Sequence, residues 1–197
     1  LGAQLGSYRV ERRLGAGGMG EVFLALDTRL NRRVALKVLP QAIAVDEERT
    51  RRFWREARAA SALTHPNVAT IYDIGDSGGV SYIAMEYVSG STLADEISRG
   101  PMATAELLDI AAQVADALRV AHASGVVHRD IKPANIMLSG ENDIKITDFG
   151  AALTSATETT QITGIGSPAY MSPEQVKEMP LNHQSDIFSL GVVLYQM

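Results

Sequence analysis

The order of elements legible in this sequence predicts an α+β protein of two lobes. Three observations carry that expectation. The first third alternates short apolar strands around a single charged helical segment. The pattern loses its period at Val88–Gly90, and beyond that point apolar residues recur at helical spacing. The expected division is a β-rich lobe over residues 1–87 and a mainly helical lobe over residues 88–197.

In the first lobe, Tyr8–Leu14 and Glu21–Asp27 read as strands flanking a glycine cluster, and Arg32–Pro40 follows after a polar turn. A charged helix is expected from Glu47 to Leu63, stopped by His65-Pro66-Asn67. Strands near Ala69–Ile74 and Val80–Tyr87 flank the turn "GDSGG". In the second lobe Thr104 reads as an N-cap. Leu107, Ile110, Ala111, Val114, Ala117, Leu118 and Ala121 then hold a helical period until Gly125, a C-terminal stop. Two short strands are expected near Ile136–Leu138 and Asp143–Thr147. Residues 151–172 have no apolar period and are rich in Thr, Ser and Gly, and structureless loops of that length are usually functional or disordered. Asp186–Met197 is apolar nearly all round and reads as a buried helix.

Bulk composition narrows the function classes. With 46% hydrophobic residues, 197 residues can fill a core. Against 23 acidic residues stand 18 basic ones, and the formal charge of −5 argues against a general nucleic-acid binder. The absence of cysteine excludes a disulfide framework and a thiolate metal site. Four scattered histidines without H-E-x-x-H carry no zinc pattern. No apolar run approaches bilayer length and no leader pattern is visible. The expected location is therefore cytoplasmic. The chain starts at Leu1 and stops at Met197 inside an apolar run, so both ends are expected to be cuts.

Several stretches carry chemistry. "LGAGGMGEV" sets Gly15, Gly17 and Gly20 in a G-x-G-x-x-G, which alone is equally a plain turn. A dinucleotide fold needs a helix after the glycines, and a Walker-A loop needs Gly-Lys-Ser/Thr. Here a strand follows, which leaves a glycine-rich hairpin whose N–H groups can lie over phosphates. Lys37 shares a strand face with Ala35 and Leu39, either as an edge lysine reaching water or as a buried cation. Glu56 lies on the helical stripe of Phe53, Ala57 and Ala60, either solvated or paired with Lys37. "VVHRDIKPANIML" crowds His128, Arg129, Asp130, Lys132 and Asn135 between apolar flanks, and buried charge is costly unless paired or bound. Asp148 in "ITDFG" follows a strand, and a hairpin can return it to the end of the sheet where Asn135 lies. Carboxylate and amide oxygens are hard ligands that suit Mg²⁺.

Lined up in order, "GAGGMG", "VALK", "REA", "HRDIKPAN", "DFG", "SPE" and "SD" resemble the protein-kinase signature set. "GGMGEV", "HRDIKPANIM" and "YMSPEQ" are similar to the bacterial Ser/Thr kinases of the eukaryotic-like family. The resemblance implies a bilobal α+β fold: a small antiparallel lobe with one key helix, and a mainly helical large lobe, incomplete at its C-terminus. It implies transfer of the γ-phosphate of ATP to protein Ser or Thr, with Mg²⁺, or Mn²⁺ in its place. Asp130 would orient the substrate hydroxyl, Lys132 would sit beside the γ-phosphoryl, and Lys37, paired with Glu56, would hold phosphates. Asn135 and Asp148 would hold metal. Leu14, Val22, Ala35 and Met137 would sandwich adenine, Met85 would be the gatekeeper, and the backbone of Glu86 and Val88 would supply hinge contacts.

His128 would pack under Phe149, and Asp186 would brace the catalytic loop, although Ser185 or Asp186 also reads as an N-cap. Glu174 would brace the end of the activation segment, where Ser167 stands in place of the more usual threonine. Thr159, Thr160 and Thr163 are the favoured phosphosites, whose phosphate would pair with Arg129. The partners implied are ATP and protein substrates, with a homodimer through the small lobe left open; nucleic acid is not expected, nor membrane contact within this segment, although the resemblance leaves open that it is the cytoplasmic domain of a longer membrane-anchored protein. Two alternatives remain, a nucleotide-binding pseudokinase scaffold and a small-molecule phosphotransferase of related fold.

Overall fold

The structure, a computed structural model, describes residues 2–17, 20–39, 47–140, 143–149 and 168–197. Six strands form one antiparallel sheet: β1 (Gln4–Leu5), β2 (Tyr8–Gly17), β3 (Gly20–Asp27), β4 (Arg32–Val38), β5 (Ile71–Ser77) and β6 (Val80–Glu86). Their order is β1-β2-β3-β4-β6-β5, and helix α1 (Glu47–Ser61) packs beside β5.

Period-2 alternation sorts the side chains of this sheet. One face builds a core of Tyr8, Ala25, Val34, Leu36, Tyr82 and Ala84. The register places Val22 opposite Lys37 and Lys37 opposite Ile83, with Leu24 opposite Ala35 and Ala35 opposite Met85. Those six residues therefore share the other face. The core face curls on itself. Tyr8 meets the Tyr82 ring edge-on at 5.4 Å, and its hydroxyl donates to Asp73 Oδ2, on the far edge strand, at 2.9 Å. Burial, reinforced by the Asp73 carboxylate, pushes the Tyr8 phenol up to about 12. Gly75 is required by this closure, because a Cβ there would lie 2.5 Å from the Tyr82 hydroxyl.

The remaining elements are β7 (Ser91–Thr92), α2 (Leu93–Arg99), α3 (Thr104–Ala123), β8 (Ile136–Ser139), β9 (Asp143–Ile146), α4 (Pro173–Val176) and α5 (His183–Gln196). Strands β7, β8 and β9 pair in that order, and 3₁₀ turns cover Pro133–Asn135 and Pro168–Tyr170. Helix α3 buries Ile110, Val114, Ala117, Leu118 and Ala121, five members of its expected stripe. Gly125, at φ 74°, closes it: Val126 N–H reaches back to Ala121 C=O at 2.9 Å.

Four expectations need correction. Thr104 is the first helical residue and not the cap; Ala103 takes the extended cap conformation without a side-chain bond. Helix α2 was not anticipated, although Thr92 and Asp95 form a reciprocal capping box at its start. Helix α5 begins three residues before Asp186, capped by Asn182, which frees Ser185 and Asp186 to point inward. Nor is α5 buried all round. Among the described residues, α3, the Pro168–Tyr170 turn, Glu174 and the His128–Arg129 backbone lie against it, and Ser185, Asp186, Ser189, Leu190 and Val193 are buried, while Ile187, Phe188 and Tyr195 are exposed.

The chain groups into two compact units, Leu1–Ala62 with Thr70–Tyr87, and Leu63–Ala69 with Val88–Met197. Residues 63–69, expected in the first lobe, belong with the second for a specific reason. Asn67 Nδ2 donates to Gln113 Oε1 at 2.7 Å and to Ile144 C=O at 3.0 Å, and Val68 bridges Ile146. No helix among the described residues is long and apolar enough to cross a membrane.

Candidate active site

In the first unit, Gly17 pairs with Gly20 to close the β2–β3 hairpin, and Gly15 pairs with Val22. Gly20 has φ +118°, and a Cβ there would stand 2.1 Å from Val38 C=O, so only glycine fits. At Gly15 a Cβ would meet nothing within 4 Å, which leaves bare backbone on the face that carries Val22 and Lys37. Lys37 is 4% exposed on β4, an interior strand between β3 and β6. The edge-lysine alternative is therefore wrong: the ammonium lies in an apolar face, where a cation is tolerated only with an anion. Glu56 lies on α1, but its side chain falls outside the described residues. Ala35 and Met85 are cross-strand neighbours on the Lys37 face, and Leu14 is 37% exposed beside the β2 bulge. Glu86 N–H donates to Thr70 C=O at 2.8 Å, and Glu86 pairs with Val34 across the sheet.

In the second unit the charged cluster is built around one buried carboxylate. Asp186, fully buried on α5, accepts from His128 N–H at 2.8 Å, Arg129 N–H at 2.7 Å and His122 Nε2 at 2.7 Å. These bonds hold Arg129 at φ +66°, a conformation that costs a non-glycine residue about 1–3 kcal/mol. Asp148, at φ +62°, is a second such residue beside the cluster. His128 is wholly buried. Its Nε2 donates to Thr147 C=O at 2.9 Å, its Nδ1 accepts from Asp130 N–H at 3.2 Å, and its ring meets Phe149 edge-on at 4.6 Å. One tautomer, protonated at Nε2, satisfies both bonds.

Asp130 presents its carboxylate beside these groups. Its Oδ2 accepts from Lys132 Nζ at 2.7 Å and from Asn135 Nδ2 at 3.0 Å. Both bonds fall on one oxygen, and among the described residues no hydrogen-bond donor meets Oδ1. Asn135 Nδ2 also donates to Asp130 C=O at 2.8 Å, which commits the nitrogen and leaves Oδ1 of the amide as a hard ligand. The β8–β9 hairpin pairs Ile136 with Ile146, and Thr147 N–H donates to Asn135 C=O at 2.8 Å. Asn135 and Asp148 therefore flank the same end of that hairpin. Among the described residues no cluster of three or more His or acidic groups could hold a metal. A cation at Asn135 and Asp148 would take its other ligands from phosphate and water, as Mg²⁺ does. Met137 and Val88 are half-buried in the same unit.

Two further residues act here without a signal strong enough to single them out beforehand. His122 sits one position past the apolar stripe of α3, where its ring reaches Asp186. Gln175 lies three residues after Ser172, the spacing of a capping box, and its Nε2 donates to Arg129 C=O at 2.8 Å. Glu174 accepts from Ser185 Oγ at 2.6 Å, and that bond holds its carboxyl below the usual range. Thr159, Thr160, Thr163 and Ser167 lie outside the described residues.

Similarity to known proteins runs along the whole of this arrangement. The chain is 46% identical over 195 residues to serine/threonine-protein kinase PrkC of Bacillus subtilis, covering 98% of this chain and 30% of the relative. It is 43% identical over 199 residues to serine/threonine-protein kinase PknB of Mycobacterium tuberculosis, covering 96% of this chain and 32% of the relative. The chain thus spans about three tenths of the length of the curated relatives it matches. The crystal structure of the Mycobacterium tuberculosis PknI kinase domain superposes with a TM-score of 0.81 at 34% identity, over 98% of this chain and 73% of that one. Residues 8–197 match the protein kinase domain family, from the first core tyrosine through α5, and the chain belongs to that family.

Proposed function

We propose that this chain is the catalytic segment of a Ser/Thr protein kinase that transfers the γ-phosphoryl group of Mg-ATP to protein hydroxyls. The observation that carries the reading is Asp130, with Oδ2 pinned by Lys132 and Asn135 and Oδ1 left for a substrate hydroxyl. Lys37, Gly15, Gly17 and Gly20 serve the phosphates, while Val22, Ala35, Met85 and Met137 serve the adenine, with Leu14 at its rim. Glu86 and Val88 supply backbone contacts, and Glu56 steadies Lys37. Asn135 and Asp148 hold the metal, which supplies charge neutralisation on the phosphates.

In the transfer, the hydroxyl oxygen forms a bond to the γ-phosphorus while the bond from that phosphorus to the β,γ-bridging oxygen breaks. ADP leaves, and the hydroxyl proton passes toward Asp130 Oδ1. Lys132 stays bonded to Asp130 and adds positive charge where negative charge accumulates. Little covalent chemistry is asked of the protein, so positioning carries most of the rate. We assign the segment to the cytoplasm, where ATP is available, and assign autophosphorylation to Thr159, Thr160 or Thr163.

The test is intact mass after incubating the full-length protein with Mg-ATP, beside Asp130→Asn. Added phosphate in wild type alone supports the reading. Bound ATP with no transfer in wild type overturns it in favour of a nucleotide-binding scaffold.

A further inference from the structure

We infer that Gln175 is a positioning residue whose side-chain amide couples the Pro168–Val176 segment to the catalytic loop and sets the direction of Asp130. The inference rests on the kinase reading of Asp130 given above. Helix α4 starts with a capping box: Gln175 N–H donates to Ser172 Oγ at 3.4 Å, and Gln175 Oε1 accepts from Ser172 N–H at 3.0 Å. That task uses only the oxygen end of the amide. The nitrogen end reaches across 46 positions of sequence and donates to Arg129 C=O at 2.8 Å.

The carbonyl it holds belongs to the peptide plane joining Arg129 to Asp130. The other polar group of that plane, Asp130 N–H, donates to His128 Nδ1 at 3.2 Å. Asp186 Oδ1 meanwhile holds the Arg129 N–H at 2.7 Å. The plane from which the Asp130 side chain departs is thus fixed on one side by His128 and on the other by Gln175. Residues 168–176 are themselves fastened to α5, through Ser189 Oγ to Tyr170 C=O at 2.7 Å and Ser185 Oγ to Glu174 at 2.6 Å. Gln175 is the strut from that fastened segment to the loop.

The choice of glutamine over glutamate supports this role. Either residue completes a capping box. Only the amide offers a donor to Arg129 C=O, whereas an ionised glutamate would set oxygen against oxygen.

The experiment is Gln175→Glu in the full-length protein, with Ser172→Ala as the variant that weakens the cap and spares the strut. Steady-state transfer to a protein substrate is followed at pH 8. At pH 8 the glutamate variant is expected to lose about tenfold in kcat, with the KM for ATP within about twofold of wild type, as loss of one positioning hydrogen bond predicts. Ser172→Ala should lower the melting temperature while kcat stays near wild type. If Gln175→Glu fails to fold, Gln175→Met removes both bonds and must still lower kcat more than Ser172→Ala. An active wild type with a glutamate variant of unchanged kcat overturns the inference alone. A wild type that transfers no phosphate overturns the kinase reading and the inference with it.

Discussion

Asp186→Asn should damage the catalytic loop more than the loss of a single hydrogen bond would suggest. The carboxylate is fully buried and takes three donors at 2.7 to 2.8 Å: two backbone N–H groups and His122 Nε2. Asparagine keeps one acceptor oxygen and turns the other into an NH₂. If Oδ1 stays with Arg129, the NH₂ faces His128 N–H and His122. The imidazole can change tautomer and accept, but the peptide N–H cannot. One buried backbone donor is then orphaned, at about 1–3 kcal/mol, and the surviving bond loses its charge assistance. Together these place the loss of stability at about 3–5 kcal/mol, in the range seen when a buried charged partner is removed. Arg129 would then relax from φ +66°, since the bond that offset its strain has weakened. Urea unfolding of the full-length protein, paired with phosphotransfer, checks both halves. A variant within 0.5 kcal/mol of wild type (about the scatter of neutral surface changes) and with unchanged turnover would refute the reasoning.

Two other perturbations probe the first unit. Tyr8→Phe deletes the hydroxyl that donates to Asp73, and its effect should depend on pH with a definite sign. The folded phenol is raised from 10 to about 12, so its stabilisation is complete below pH 10 and disappears as pH climbs through 12. The wild-type advantage in melting temperature over Tyr8→Phe should therefore be flat to pH 10 and fall above it; an advantage that grows with alkalinity would contradict the assignment. Gly20→Ala sets a Cβ 2.1 Å from Val38 C=O at φ +118°. The hairpin must open to accept it, at about 1–3 kcal/mol or more, with weakened ATP binding by calorimetry. Wild-type affinity and melting temperature in that variant would show that the hairpin has room.

What could be read in advance depended on how far apart in the chain the causes lie. Lys37 stood out because a cation breaks the period of an apolar strand, and the break is visible within five residues. Asp130, Asn135 and Asp148 stood out through their local motifs, and the hairpin that brings the last two to one end is itself local. The stripe of α3 was legible for the same reason, since it repeats over about four turns of one helix. Helix α2 was missed because seven residues hold too little periodicity, even with the Thr92–Asp95 box in plain sight. The start of α5 was misjudged because apolar run and helix do not coincide. Its first turn, His183 to Asp186, is polar, and two of those polar residues are buried to serve other segments. No period marks His122 or Gln175, whose partners lie 64 and 46 positions away, and no local pattern distinguishes a polar side chain with such a partner from one facing water.

The dependence of the catalytic loop on α5 has a consequence in time. Asp186 follows Arg129 by 57 positions, so on a ribosome the loop is made well before the carboxylate that shapes it. At about 5–20 residues per second, that interval is about 3–11 seconds. Until α5 emerges and docks, nothing in the loop's own sequence favours the left-handed turn at Arg129, and Asp130 has no fixed direction. On the kinase reading, Asp130 is aimed only once the second unit has closed around Asp186.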